Sequence, residues 1–412
     1  MNDRGNVLLI SQVYPPDPAA VGQYLADAAE ELAGRGWTVR VLTADRGYDD
    51  PTQRFSREEV RGGISIRRLR WSSFGKSSIA VRLIGMMSFL GQALLRGLFV
   101  RDLRAAFVST SPPMAGIVAW LISTIRRVPL VYWAMDLNPD QTVASGRAKA
   151  GSFLVRLFAA ANRLVLRRAA IIIVLDRFMA QRLQAKGVRL TRLAVIPPWP
   201  LDQFLAPVLH AANPFRARHG LQGKFVVMYS GNHSLVHPLD TLLAAARQLR
   251  DDPRFVFALI GGGVAKAPFA AAARAGELPN LLLLPYQPTE ELRFSLSAAD
   301  LHVVSMGAAM VGCVHPCKFY GALAVERPVL LLGPEPCHVT EVFARADCGW
   351  RTSHGDAAGL VALLQRLATS AAEPELLAKA QAGRAVLAQG LSRGSLRTRW
   401  GQEVDTAIRG VA

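Results

Sequence analysis

Short apolar runs alternate along the whole chain with longer stretches whose apolar positions recur every three or four residues. That alternation predicts parallel strands joined by crossover helices. In the first half the strand-like runs are Val7–Ser11, Thr38–Thr43, Ala105–Ser109, Leu130–Trp133, Ala170–Leu175 and Leu193–Ile196. In the second they are Lys224–Ser230, Phe255–Ile260, Leu281–Leu284, Asp300–Val304, Pro328–Leu332 and Cys348–Arg351. Helical spacing is clear in Val21–Gly34, through Leu25, Ala29 and Leu32, and in Leu239–Leu249, through Leu242, Leu243 and Ala246. The expected fold class is α/β, with two successive doubly wound units.

Pro197-Pro-Trp-Pro200 fits neither a central strand nor a helix interior and marks the break between them. The boundaries that follow are an N-terminal domain at 1–197, a linker at 198–212 and a C-terminal domain at 213–394. Beyond them, Leu396, Trp400, Val404 and Ile408 form an apolar stripe on a last helix at about 395–412, which can dock back on the first domain. Residues 105–125 carry no charge, enough length to cross a bilayer, but Thr110-Ser-Pro-Pro113 divides them into a strand and a helix of about 12 residues, too few to span.

At 412 residues the chain is long enough for two cores. Four cysteines do not make a disulfide scaffold, and the N-terminus lacks the apolar core of a secretory signal, so a reducing cytoplasm is the expected compartment. The net charge of +17 is concentrated: between Arg54 and Arg192 there are 24 Lys and Arg against 6 Asp and Glu. Within that span, Ser152–Arg168 sets Arg156, Arg163 and Arg167 near one side of a helix and Phe153, Leu157 and Leu164 near another, and Arg82 and Arg96 bracket the uncharged run Leu83–Leu95. Such basic amphipathic segments predict contact with an anionic membrane surface. Nucleic acid is not expected, because no aromatic-interleaved basic ribbon or known binding motif accompanies the charge.

Candidate chemistry gathers where strands end, the place open α/β sheets bind ligands. After Lys224–Ser230 come Gly231, Asn232 and His237, with Pro238 read as the first residue of a helix; after Phe255–Ile260 come Gly262 and Gly263. Glycine-rich loops leading into helix starts suit an anion. Lys318 opens another helix, where the dipole disfavours a cation unless an anion answers it. In the first half, Gly22 opens a helix and could let a ligand approach the backbone, while Asp136 and Asp140 follow the strand Leu130–Trp133. Cys313, His315, Cys317 and Cys337-His338 lack paired metal-ligand spacing, so no metal is expected.

These segments together resemble the retaining glycosyltransferases of the GT-B fold, family 4, in their bacterial cell-surface polysaccharide branch. The resemblance rests on Tyr14-Pro-Pro-Asp-Pro-Ala-Ala-Val-Gly22, on Asp136-Leu-Asn-Pro-Asp-Gln-Thr-Val-Ala-Ser-Gly146, on Leu193-Ala-Val-Ile-Pro-Pro-Trp-Pro200 and on His315-Pro-Cys-Lys-Phe-Tyr-Gly-Ala-Leu-Ala-Val-Glu-Arg-Pro-Val329. It implies two Rossmann-like domains facing a cleft, and a nucleotide-diphosphate sugar held by the second domain through Gly231, Asn232, Gly262, Gly263, Tyr286, Pro316, Lys318 and Tyr320. It also implies an acceptor, saccharide or lipid-linked, held by the first domain, transfer without a metal or other cofactor, and attachment to the inner face of the plasma membrane. Asp136, Lys318 and His237 would be the catalytic groups. The sequence departs from the family at Asn232 and His237, where an Arg and a Lys are usual, at Cys313 and Gly321, where paired glutamates stand, and at Glu326, where glycine is usual. Those departures leave open a non-catalytic subunit that binds a nucleotide sugar or a lipid phosphate.

Overall fold

The computed structural model describes residues 4–410 apart from 18, 48–49, 73, 75–78 and 201–204. Part of the expected linker and residues 411–412 of the expected last helix therefore lie outside the described residues. Two compact units emerge, one of residues 1–198 with 312–314 and 394–412, the other of residues 199–311 and 315–393.

The first unit runs β1 (Asn6–Ile10), α1 (Ala20–Gly34), β2 (Thr38–Ala44), β3 (Glu58–Arg61), β4 (Ile64–Leu69), α2 (Ile79–Leu98), β5 (Leu103–Ser109), α3 (Ala115–Ile125), β6 (Leu130–Ala134), α4 (Asp140–Ala144), α5 (Phe153–Arg168), β7 (Ala169–Val174), α6 (Arg177–Ala185) and β8 (Leu193–Val195). Its sheet has the order β3-β4-β2-β1-β5-β6-β7-β8, parallel except for β3 against β4. Central strands such as β1 and β6 are buried at every position, as a parallel sheet covered on both faces requires. The uncharged stretch 105–125 is divided between β5 and α3. By contrast α2 is longer than the uncharged run within it: 20 residues that include Arg82 and Arg96.

The second unit runs α7 (Pro214–Arg218), β9 (Phe225–Ser230), α8 (Asp240–Gln248), β10 (Phe255–Ile260), α9 (Ala267–Arg274), β11 (Leu281–Leu284), α10 (Leu292–Ser297), β12 (Leu301–Ser305), α11 (Lys318–Ala324), β13 (Val329–Leu332), α12 (His338–Ala346), β14 (Gly349–Thr352), α13 (Ala357–Leu367) and α14 (Glu373–Val386). All six strands are parallel in the order β11-β10-β9-β12-β13-β14, which is the doubly wound order with its switch point between β9 and β12. One face buries Tyr229, Phe255, Phe257, Leu242 and Leu360; the other buries Phe215, Met228 and Ile260. Pro238 is not the first helical residue: α8 begins at Asp240 with Leu239 as its cap.

The last helix, α15 (Arg393–Arg409), packs into the first unit from residue 394 onward. Trp400 is fully buried, its ring 5.2 Å from that of Trp133 and 5.4 Å from that of Phe107. Asp405, also buried, accepts from the Trp37 indole at 2.9 Å and pairs with Arg4 at 3.2 Å. A buried carboxylate with three strong donors around it, Arg409 being the third, fixes the register of this helix on the sheet.

Candidate functional site

In the second unit β9 and β10 are adjacent, so the turns that follow them meet at one sheet edge. Gly231 N–H donates to Ile260 O at 2.9 Å and His233 N–H to Gly262 O at 2.8 Å, which ties the two turns together. The Gly231 amide is thus spent inside the fold and is not an anion donor as expected. Those of Asn232, Gly262 and Gly263 have no hydrogen-bond partner among the described residues. Glycine is demanded at 231 and 263: both have φ of +127°, and a Cβ on Gly231 would lie 2.7 Å from Lys318 Cε.

Lys318, in the first turn of α11, therefore runs directly over Gly231, and its ammonium sits 5.1 Å from the ring centre of buried Tyr229. No carboxylate pairs with it among the described residues. Burial without a counter-charge pulls its pKa down to about 8. A cation held this way at a helix start can answer an incoming anion.

His237 lies beside it. Its Nδ1 is 2.6 Å from Ser305 O, and a carbonyl only accepts, so Nδ1 carries the proton and Nε2 offers a lone pair. Burial, reinforced by the charge of Lys318, lowers its pKa to about 3. His237 is consequently neutral and accepts hydrogen bonds; it does not replace a lysine on a diphosphate.

Tyr286 is more than half exposed and its ring covers Gly261 and Gly262, so it is a surface platform over the glycine turn. Pro316 and Tyr320 have a different place. Pro316 is buried and its carbonyl accepts from Phe319 N–H, while the Tyr320 hydroxyl is 2.8 Å from both His315 Nε2 and His338 Nε2. Tyr320 is 1% exposed, so it braces the segment that carries Lys318 and does not face a ligand.

Three residues escaped the sequence reading. His233 is fully buried, with Nε2 unpartnered among the described residues and its pKa lowered to about 4 by burial. Tyr229 supplies the aromatic floor under Lys318 and donates its hydroxyl to Asn232 O at 3.0 Å. Lys266 donates to Gly261 O at 2.7 Å and to Leu284 O, so it clamps the glycine turn to β11 and adds a second cation near His233. A glycine run followed by a lysine at the next helix start was the available signal for Lys266; nothing local marked the other two.

In the first unit Asp136 follows β6. Its amide donates to Thr110 Oγ1 at 3.3 Å, and burial raises its carboxyl pKa to about 6. Asp140 is paired with Lys186 and is thereby occupied. Gly22 is buried, and a Cβ there would lie 3.2 Å from Tyr14 Cα and N. Its missing side chain lets α1 pack on the Tyr14 segment. None of the four cysteines forms a disulfide, and His315 is committed to Tyr320.

Residues 19–199 match the Glycosyl transferase 4-like domain family. Over 341 residues the chain is 26% identical to the protein named colanic acid biosynthesis glycosyl transferase WcaI from Escherichia coli (strain K12), covering 77% of this chain and 81% of that one. In fold it is similar to sucrose-phosphate synthase from Thermosynechococcus elongatus, with a TM-score of 0.76 and 17% identity, covering 99% of this chain and all of that one. It is similar as well to Anabaena Alr3699/HepE in complex with UDP and glucose, with a TM-score of 0.71 and 16% identity, covering 98% of this chain and all of the other.

Proposed function

This chain is a glycosyltransferase of the GT-B fold whose residues 19–199 form a glycosyl transferase 4-like domain, and from that premise we propose that it moves a sugar from a nucleotide-diphosphate sugar to a lipid-linked saccharide in cell-surface polysaccharide synthesis. The observation that carries the reading is Lys318: a half-buried cation with no carboxylate among the described residues, laid over the glycine turns at the carboxyl ends of β9 and β10. Charge develops on the departing diphosphate as the bond to the sugar breaks. Lys318 and the amides of Asn232, Gly262 and Gly263 stabilise that charge, the kind of preorganised electrostatics that dominates such steps. Tyr286 stacks on the base, and His237 Nε2 accepts a hydroxyl of the donor sugar.

Asp136 receives the proton of the attacking acceptor hydroxyl, a task its raised pKa suits near neutrality. The sugar keeps its anomeric configuration, and Lys318 supplies the countercharge that a divalent ion provides elsewhere, so transfer persists in EDTA. Anchoring falls to the first unit. The outer face of α2 exposes Leu83, Ile84, Met87 and Leu95 while its inner face buries Phe89 and Ala93, and α5 exposes Phe153, Leu154 and Leu157 beside Arg156. Ala80–Leu98 has the length and hydropathy of a membrane span, but the burial of its inner residues fits a helix lying in the interface on the inner face of the plasma membrane.

The test is a thermal-stability panel of nucleoside diphosphates and nucleotide sugars. A nucleotide that binds only the native state raises its stability by mass action. One base should stand out, and Lys318→Met should abolish its effect; a folded protein indifferent to every nucleotide would overturn the donor-site assignment.

A further inference from the structure

The first unit holds a second charged feature that the donor site does not use. The C-terminal half of α5 and the end of α6 with its following turn enclose two adjoining concavities of about 270 and 420 Å³. Arg163, Arg167 and Lys186 line both, and Arg189 and Arg192 complete the first. Each is several times the ~30 Å³ share of one water molecule. Among the described residues one carboxylate, Asp140, pairs with Lys186, and none pairs with the four arginines. Arg192 is instead fixed by donating to Arg167 O at 2.9 Å. Five cations therefore gather around the two concavities against the single carboxylate of Asp140, a surplus of positive charge that an anion would answer.

Two connections say which anion. On α5, Phe153 is 77% exposed and lies fourteen residues, or roughly 21 Å, from Arg167 on the same helix face. An apolar chain on that end of the helix would bring its phosphate to the arginines. The cavity is also joined to the loop of Asp136, since Asn162 Nδ2 donates to Asn138 O at 3.0 Å and Lys186 pairs with Asp140. We infer that this cavity binds the diphosphate through which an acceptor sugar is joined to its lipid, and so delivers the acceptor hydroxyl toward Asp136. The identity of the anion rests on the transferase reading; the anion site itself rests on the arginines.

The test is flotation of the full chain with three kinds of phosphatidylcholine vesicle: undoped, doped with phosphatidylglycerol, and doped with a polyprenyl diphosphate at matched charge. Retention on the diphosphate vesicles should exceed that on phosphatidylglycerol by about tenfold, and free inorganic pyrophosphate should compete it away. Arg163→Gln with Arg189→Gln, both exposed and expected to fold, should bring retention down to the phosphatidylglycerol level. Arg250→Gln with Arg274→Gln, equal in charge and distant in sequence, should leave it unchanged. Equal retention on the two anionic vesicles, or a double variant that keeps its selectivity, would overturn the site in favour of a diffuse surface field or of no phosphate recognition. Nucleotide-induced stabilisation, read in parallel, separates the two readings: its absence in the wild type counts against the donor assignment, whereas lost diphosphate selectivity with nucleotide binding intact counts against this cavity alone.

Discussion

Lys318→Met should make the protein more stable and weaken its hold on nucleotide. The lysine's pKa falls from 10.5 to about 8 on folding because burial disfavours its charge. A cation so depressed costs the native state about 3 kcal/mol at pH 7, and its contact over Tyr229 returns about 0.5–1 kcal/mol. Methionine keeps the alkyl reach and the aromatic contact without the charge. The net gain of about 2 kcal/mol corresponds to a rise on the order of 5 °C in the melting of the second unit. The penalty is complete below pH 8 and is relieved as pH climbs from 8 to 10.5, so variant and wild type should converge in alkali. On the ligand side, one charge-assisted contact to a diphosphate is worth about 1.5–3 kcal/mol, a loss of roughly 10- to 100-fold in affinity. Differential scanning fluorimetry at pH 7 and pH 10, with and without nucleotide, reads both effects. A variant that melts lower than wild type while keeping its nucleotide response would refute the reasoning.

The pH dependence of kcat/KM should be a bell, rising as Asp136 ionises near pH 6 and falling as Lys318 loses its proton near pH 8. Asp136→Asn should lower the rate and abolish the acid limb alone; a profile unchanged in shape would remove Asp136 from the chemistry. Trp400→Ala deletes a buried ring packed on Trp133 and Phe107 and should destabilise the first unit by about 3–5 kcal/mol, seen as a lowered first-unit transition in calorimetry with the second-unit transition in place. Glu326 has a φ of +53° and its exposed pairing with Arg384 at 3.7 Å is worth little, so Glu326→Gly should stabilise by about 1 kcal/mol in chemical denaturation.

Parallel strands were legible in the chain because they are buried on both faces and read as continuous apolar runs. Phe255–Ile260 and Leu281–Leu284 coincide with β10 and β11 to the residue, and the remaining ten expected strands shift by a residue or two at their ends. The hairpin β3–β4 was not legible: its outer strand, Glu58–Arg61, is largely exposed, and Arg67 and Arg68 interrupt the apolar alternation of β4. Its turn at Gly62-Gly63, with both φ values positive, was the overlooked sign. Glu326 illustrates a second limit. The family resemblance marked it as standing where glycine is usual, but only the backbone shows that the position is left-handed. Lys318 could be singled out because a cation at a helix start violates the dipole preference. His233 and Tyr229 could not, since their roles come from β9 and β10 lying side by side, and at Gly22 a glycine at a helix start serves packing as readily as ligand approach.

The most direct test is turnover. Purified protein is incubated with the stabilising nucleotide sugar and vesicles carrying a polyprenyl-diphosphate saccharide, and both nucleoside diphosphate release and the product's anomeric linkage are followed by NMR. The account predicts one new glycosidic bond per diphosphate released, with the donor's anomeric configuration and with no product from Lys318→Met. Tight nucleotide binding without sugar transfer to any lipid-linked or free saccharide would contradict it and make the chain a binding subunit.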